Sequence, residues 1–302
     1  MTVTPAPRPV SGRGRGGPSV LMAVPALAFF VMFAVAPLLI VAVLSLTEWD
    51  GLGVPSLVGL ANWREIIADP VVLGAMWLSV KVMVLSWLVQ TPLSLLLGVF
   101  LAGRQRYRAV FGVLYFVPLL LSTAAIAITW KDLLDPNFGL GSAPGLHWLA
   151  GNLLGNLDTA LYAVVLVIAW QFVPFHTLLY QAGVRQIPAV LYEAAEIDGA
   201  GRAGQFWHVT LPQLRYTIVT SSTLILVGSL TYFDLVFIMT GGGPGYATRI
   251  LPLDMYLTGF GAGEMGKASA TAMVLVLAGL VLALGLVQFS GFARMRSQQE
   301  GV

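Results

Sequence analysis

The sequence predicts an all-α integral membrane protein with six transmembrane helices, and composition and patterning agree on this. Of 302 residues, 57% are hydrophobic and only 10% are charged, whereas a soluble domain carries about 25% charged residues. Mean hydropathy is +0.84. The apolar residues gather into six runs, and each can cross a hydrocarbon core of about 30 Å, which takes about 20 helical residues. Net charge is only +2. The pI near 9.0 therefore reflects a small excess of arginine, and nucleic acid, which wants a clustered basic face, is not an expected partner. There is no cysteine, which excludes disulfides, thiol catalysis, iron–sulfur clusters and cysteine-ligated zinc. His147, His176 and His208 are scattered without a metal-like spacing.

Taken in order, residues 1–18 are rich in Pro, Gly and Arg and read as a disordered basic cytoplasmic tail. The first apolar run, 20–46, outlasts the roughly 7–15 residues of a signal-peptide core. It is expected to remain as an anchor, although Ala34-Val35-Ala36 could pass for a cleavage site. The other spans are 73–101, 109–130, 157–183, 213–239 and 269–289. Pro92, Pro118 and Pro174 lie inside spans and should bend or locally unwind them. The resulting organisation is a tail (1–18), a first helix with its outer loop (19–72), a membrane core (73–290) holding a long loop at 187–214, and a second tail (291–302). The first three spans do not repeat in the last three.

Orientation follows from lysine and arginine. With the N-terminus cytoplasmic, the inner segments hold Arg8, Arg13, Arg15, Arg104, Arg106, Arg108, Arg185, Arg202, Arg215, Arg294 and Arg296; the outer ones hold Arg64, Lys131, Arg249 and Lys267. Eleven against four places both termini, and loop 187–214, in the cytoplasm. The outer segments carry Glu48, Trp49, Asp50, Trp63, Trp148 and Asp158, whose aromatics suit an interfacial belt.

Loop 187–214 concentrates Glu193, Glu196, Asp198, Arg202 and His208 in a chain otherwise poor in charge. Pro188 suits the first turn of a helix; Gly199, Gly201 and Gly204 then break it, and Pro212 starts the next segment. Leu191, Ala194 and Ala195 share a face at helical spacing, flanked by Glu193 and Glu196. Two readings stay open on these grounds: docking into a partner groove, or a solvated amphipathic connector.

Polar groups inside a span are costly and usually face the bundle interior. Gln171 and Phe175 are four apart beside Pro174, and an amide next to a ring suits a sugar, which offers hydroxyls and CH faces. Ser229 and Tyr232, with Gly228 beside them, form a similar patch on the fifth span. Thr220, Ser221, Ser222 and Thr223 are expected to bond back to their own helix. Lys81 is expected to snorkel to the outer interface. Asp234 is expected to meet water or the amides of the Gly241–Gly243 turn.

Some stretches go further. Glu193-Ala194-Ala195, Asp198-Gly199-Ala200, Phe206 and Leu211-Pro212, led in by Ile187-Pro188 and Leu191-Tyr192, resemble the EAA loop of permease subunits of binding-protein-dependent ABC importers. Tyr216 departs from a proline common there. Tyr232-Phe233-Asp234 with Thr240-Gly241-Gly242-Gly243-Pro244 and Thr248 is similar to a second signature of the carbohydrate permeases. Pro118 to Trp130, continuing to Gly139, resembles their third span and outer loop, and Gly59-Leu60-Ala61-Asn62-Trp63 their first outer loop. The resemblance covers about residues 20–290 and points to the maltose or glycerol-phosphate A-type subunit.

This resemblance implies a type I ABC importer transmembrane fold in a bacterial cell membrane. It implies that Glu193, Ala194, Ala195, Asp198 and Gly199 form a coupling helix seated in a cleft of a separate ATPase dimer. It implies a second, homologous permease, an extracellular solute-binding protein that meets the outer loops, and a carbohydrate substrate. Membrane lipid would surround the assembly. ATP and Mg would be bound by the ATPase, leaving this chain without a cofactor. The substrate positions of the maltose-type permease correspond to Ile168, Phe172 and Phe175 and to Gly228, Ser229 and Tyr232, with Ile168 apolar where that site is polar. The expected pathway residues are thus Gln171, Phe172, Phe175, Gly228, Ser229 and Tyr232.

The chain has no Gly-x-x-x-x-Gly-Lys-Ser/Thr phosphate loop, so it is expected not to be the ATPase. An ion-coupled secondary sugar transporter is the alternative; it needs intramembrane carboxylates, and only Asp234 qualifies. A membrane enzyme is disfavoured by the lack of any catalytic constellation.

Overall fold

The computed structural model describes residues 22–103, 105–147 and 150–289. Both expected tails, Arg104 and Trp148 lie outside the described residues. Helix α1 (Val24–Leu44) widens into a π turn at Val31–Val35, just ahead of Pro37. A proline cannot donate to the carbonyl four residues back, and the wider turn absorbs the missing bond. A short antiparallel pair, β1 (Thr47–Glu48) and β2 (Ser56–Leu57), follows. Helix α2 (Ala61–Ala68) closes this end: Asn62 Nδ2 donates to the carbonyls of Ser45 at 3.0 Å and Thr47 at 2.8 Å.

Helix α3 (Pro70–Leu101) starts where Asp69 accepts from the Val71 amide, with Pro70 in the first turn. It runs on past Pro92. Its buried stripe is Val72, Ala75, Ser79, Val82, Ser86, Gln90, Ser94, Gly98 and Leu101, a three- and four-residue spacing that gives one helix face. That face meets α7 (Ala160–Arg185). At Gly98 an added Cβ would fall 2.5 Å from Tyr180 Cβ and 3.0 Å from the Thr177 carbonyl, so the two backbones touch there as small residues allow in membranes. Helix α7 also continues through its expected break at Pro174.

The span expected at 109–130 is not one helix. It forms α4 (Arg106–Tyr115), α5 (Val117–Leu120) and α6 (Thr123–Leu133). Pro118 has no N–H to donate to the carbonyl of Leu114, and the helix gives way at Phe116. Leu121 and Ser122 are then extended, and the Ser122 hydroxyl caps α6 by accepting from the Ala125 amide.

After α8 (Ala189–Ile197), short helical pieces at Arg202–Gln205, Phe206–Thr210 and Leu211–Gln213 lead into α9 (Arg215–Ser229). The fifth expected span is broken: α9 and α10 (Phe233–Thr240) meet at 48° across a three-residue gap. Helix α11 (Leu251–Tyr256) and a π turn at Leu257–Gly261 precede α12 (Met265–Phe289).

The core lies where α7 packs against α3, α6 and α10, through Val82, Ile126, Val164, Ile168, Leu235 and Val236. Of the windows that qualify as spans, 61% of that in α7 is buried and none of that in α1. Trp87 Nε1 donates to Ser222 Oγ at 2.9 Å, joining α3 to α9. The Leu251 amide donates to Ser79 Oγ at 2.8 Å, joining α11 to α3. At the α2 end Lys267 ties α12 to α2 through Glu65 at 2.7 Å, with Glu264 at 3.5 Å and Asp69 at 3.8 Å.

Candidate functional site

A cavity of about 350 Å³ opens between α6, α7 and the α9–α10 break. The end of α9 supplies Gly228, the break Thr231 and Tyr232, and α7 Phe172, Phe175 and His176. Thr123 and Asp234 add polar groups, and Leu119 and Leu224 are apolar wall. Phe172 and Tyr232 stack, their ring centroids 5.4 Å apart at 25°. A stacked pair presents apolar ring surface, while the hydroxyl and carboxylate groups nearby meet polar edges. The site is thus amphipathic on the scale of one sugar ring.

Of the six expected pathway residues, Phe172, Phe175, Gly228 and Tyr232 line this cavity. Gln171 and Ser229 stand behind it. The Gln171 amide donates to Thr123 Oγ1 at 2.9 Å, and the Ser229 hydroxyl donates to the Leu226 carbonyl at 2.7 Å. Gln171 is therefore one step removed, holding a hydroxyl that lines the wall. Ile168 is fully buried in the core.

Thr220 and Thr223 bond back to the carbonyls of Tyr216 and Val219 as expected. Ser221 and Ser222 do not: Ser221 Oγ lies 3.0 Å from His176 Nδ1, and Ser222 accepts from Trp87. Both sit on the buried side of α9, where a neighbouring helix offers a competing partner. Asp234 meets the cavity rather than the glycine turn. The turn's amides are used locally: Gly243 donates to the Thr240 carbonyl, and Gly241 to those of Phe237 and Val236. Lys81 lies over the Tyr162 ring, 5.1 Å from its centroid, a cation–π contact.

Thr123 escaped the sequence reading, and His176, which closes the polar stretch 170–176 of the fourth span, was not among the expected pathway residues. The signal for His176 was its spacing of four from Phe172. The buried Asp254, paired to Arg249 Nε at 2.7 Å, was also missed; in sequence it is only an acidic residue in an outer segment. Among the described residues, no three or more His, Asp or Glu side chains converge to hold a metal ion.

The loop region forms as expected around Pro188, which precedes α8. Its helix ends at Asp198, and Gly199 takes φ +78°, a left-handed turn that favours glycine. No α8 residue is buried. Leu191, Tyr192 and Ala195 are half-buried toward the chain, so Ala194 does not share their side; Glu193, Ala194, Glu196, Ile197 and Asp198 are exposed. Tyr192 and Thr210 share a hydroxyl hydrogen bond at 3.0 Å, which fixes α8 to the segment that follows.

With this architecture in place, comparison with known proteins is informative. Residues 90–296 match the family described as binding-protein-dependent transport system inner membrane component. The chain is 34% identical over 279 residues to the probable ABC transporter permease protein YurN of Bacillus subtilis, covering 90% of this chain and 94% of that one. It is 32% identical over 259 residues to the multiple sugar-binding transport system permease protein MsmF of Streptococcus mutans, with 84% and 89% covered. It is 30% identical over 281 residues to the trehalose/maltose transport system permease protein MalF of Thermococcus litoralis, with 89% and 93% covered. In fold it matches a chain of a bacterial ABC transporter involved in the import of the acidic polysaccharide alginate, with TM-score 0.79, 19% identity, and 92% and 96% covered. The extent of the family match and the identity to YurN along nearly the whole chain decide the assignment: this chain belongs to the inner-membrane components of binding-protein-dependent transport systems, as a permease subunit.

Proposed function

We propose that this chain forms half of the translocation pathway of an ATP-driven carbohydrate importer. The observation that carries the reading is the cavity at the α9–α10 break, where stacked Phe172 and Tyr232 stand beside Thr123, His176 and Asp234. Rings for CH faces and polar groups for hydroxyls are what a saccharide needs. Relatives named for multiple sugars, trehalose/maltose and arabinooligosaccharides support it. The relevant residues are Phe172, Phe175, Gly228 and Tyr232 at the wall, with Gln171 and Ser229 behind it.

In this reading the partners are a second homologous permease, an ATPase dimer that binds ATP and Mg, and an extracellular solute-binding protein. Exposed Glu193, Ala194 and Asp198, with the turn at Gly199 and the half-buried Ala195, dock α8 on the ATPase. The arginine bias places both termini and 187–214 on the cytoplasmic side of a bacterial cell membrane, with 73–290 as the transport core. ATP binding pulls on α8, and the joint between α9 and α10 changes the cavity's access.

The test is uptake of labelled saccharides by proteoliposomes holding the complete importer, with ATP enclosed. Uptake should follow ATP and survive a proton uncoupler. Uptake that persists without ATP and collapses with the uncoupler would overturn the reading in favour of an ion-coupled carrier.

A further inference from the structure

We propose that His176 is a specificity-determining residue that contacts the substrate, and that Ser221 is its positioning residue. The proposal rests on the carbohydrate-pathway reading and goes beyond it by naming which polar atom reads a hydroxyl. His176 sits on α7 one turn beyond Phe172 and lines the same cavity. It is 4% exposed, so its ring is held by packing. Phe175 meets it edge-on, with centroids 5.2 Å apart. On the far side Ser221 Oγ engages Nδ1 at 3.0 Å.

With Nδ1 occupied, Nε2 is the remaining polar atom of the ring. It has no hydrogen-bond partner among the described residues. His176 lines the cavity, and with Nδ1 turned to Ser221 it is Nε2 that the ring has left to offer there. A neutral imidazole offers a donor at one nitrogen and an acceptor at the other, and the partner at Nδ1 decides which faces out. A saccharide hydroxyl is donor and acceptor at once, so it satisfies either tautomer. The stacked Phe172 and Tyr232 rings give the same sugar an apolar surface to lie against. Ser221 supports the assignment from the other side. Its neighbours Thr220 and Thr223 bond back to their own helix, the ordinary habit of such hydroxyls. Ser221 instead crosses to α7 and fixes the imidazole.

The experiment uses the complete importer in proteoliposomes and reads saccharide-stimulated ATPase activity. Maltose, trehalose and maltotriose are the first probes, followed by monodeoxy analogues of whichever stimulates best. The binding protein is the same in every comparison, so its own discrimination cancels between wild type and variant. His176→Leu should raise the half-saturating concentration about tenfold, the scale of one lost hydrogen bond. It should also lower discrimination against one deoxy analogue about tenfold relative to wild type. His176→Gln, which keeps a side-chain hydrogen-bonding group, should recover part of both effects, and Ser221→Ala should give a smaller shift in the same direction. A merely structural role would lower thermal stability and leave the deoxy discrimination as in wild type; that pattern in His176→Leu, or in His176→Gln if the leucine variant does not fold, overturns the proposal. If no saccharide stimulates the wild-type importer, the carbohydrate reading itself falls, which is a separate outcome.

Discussion

Helices α7 and α8 follow one another within a few residues and are built on opposite terms. Thirteen residues of α7 are buried, including Gln171, His176, Thr177 and Tyr180. None of α8 is, and its Val190 and Ile197 are exposed. The residues of α7 find their partners within this chain, on α3, α6 and α9. Those of α8 find few; beyond the half-buried Leu191, Tyr192 and Ala195, its side chains are exposed. One helix is specified by its own fold, and the other presents the face proposed to dock a partner. Damage should therefore separate: changes along α7 should disturb folding or selectivity, and changes along α8 should disturb only the link to a partner.

The sharpest way to break this contrast is a pair of glycine substitutions. Gly98→Leu forces a side chain into the α3–α7 contact and should prevent folded protein from accumulating, so uptake is lost together with the protein; quantification in the membrane checks it. Gly199→Trp lies where an added Cβ meets nothing within 4 Å. It should abolish uptake while the amount of protein and its detergent melting curve change little, the φ +78° turn costing about 1 kcal/mol locally. Normal ATP-driven uptake in Gly199→Trp removes the coupling role of α8.

Next in size is Tyr232→Ala, which unstacks Phe172 and opens the cavity. The half-saturating sugar concentration should rise about tenfold or the order of preferred sugars should change, since an aromatic pair is worth about 0.5–1.5 kcal/mol beyond burial. Unchanged kinetics across several saccharides would take Tyr232 out of the pathway. Ser222→Ala removes the acceptor of the Trp87 bond, and interhelical hydrogen bonds in membranes average about 0.6 kcal/mol. A fall of a few degrees in melting temperature with unaltered sugar preference is expected.

The smallest effect lies in the loop after α6. The amides of Phe138 and Asn137 donate to the Asp135 carboxylate at 2.9 and 2.8 Å and hold its pKa below the usual carboxylate value. A lowered folded-state pKa contributes stability that is present above the unfolded value and fades as pH falls through the folded one. Asp135→Asn should therefore cost a little stability at neutral pH and nothing at strongly acidic pH, which melting curves across pH can read.

What was legible in the sequence follows the same division. Charge is cheap only outside the hydrocarbon, so the carboxylates of 187–214 announced the loop, and Pro188 with Gly199 marked both ends of α8. Long apolar runs announced α1, α3, α7 and α12 for the same reason. Hydropathy is a sum over a window, however, and cannot see that Leu121 and Ser122 leave helical geometry; Ser122 as a cap was the available signal for dividing the third span. Proline was a poor guide by itself. Pro92 and Pro174 sit in helices that continue, whereas the fifth span breaks at Leu230–Tyr232 without one. At the cavity, helical spacing pointed to Phe175 and Tyr232, and the family resemblance to Phe172, but neither could say where a side chain's partner lies. Gln171 turned to Thr123, and Ser221 turned away from its own backbone to His176. Such choices are made between helices, and a single helix pattern does not contain them.

The gap between α9 and α10 has one more consequence. A continuous rod passes a push along its length and delivers it at the far end. Two rods joined at 48° turn that push into rotation about the elbow. In this chain the elbow is Leu230, Thr231 and Tyr232, and two of those three residues are cavity wall. Under the proposed function, any torque that reaches α9 from the end nearer α8 is spent on the shape of the compartment itself, so the part proposed to grip the cargo and the part proposed to move it are the same few residues.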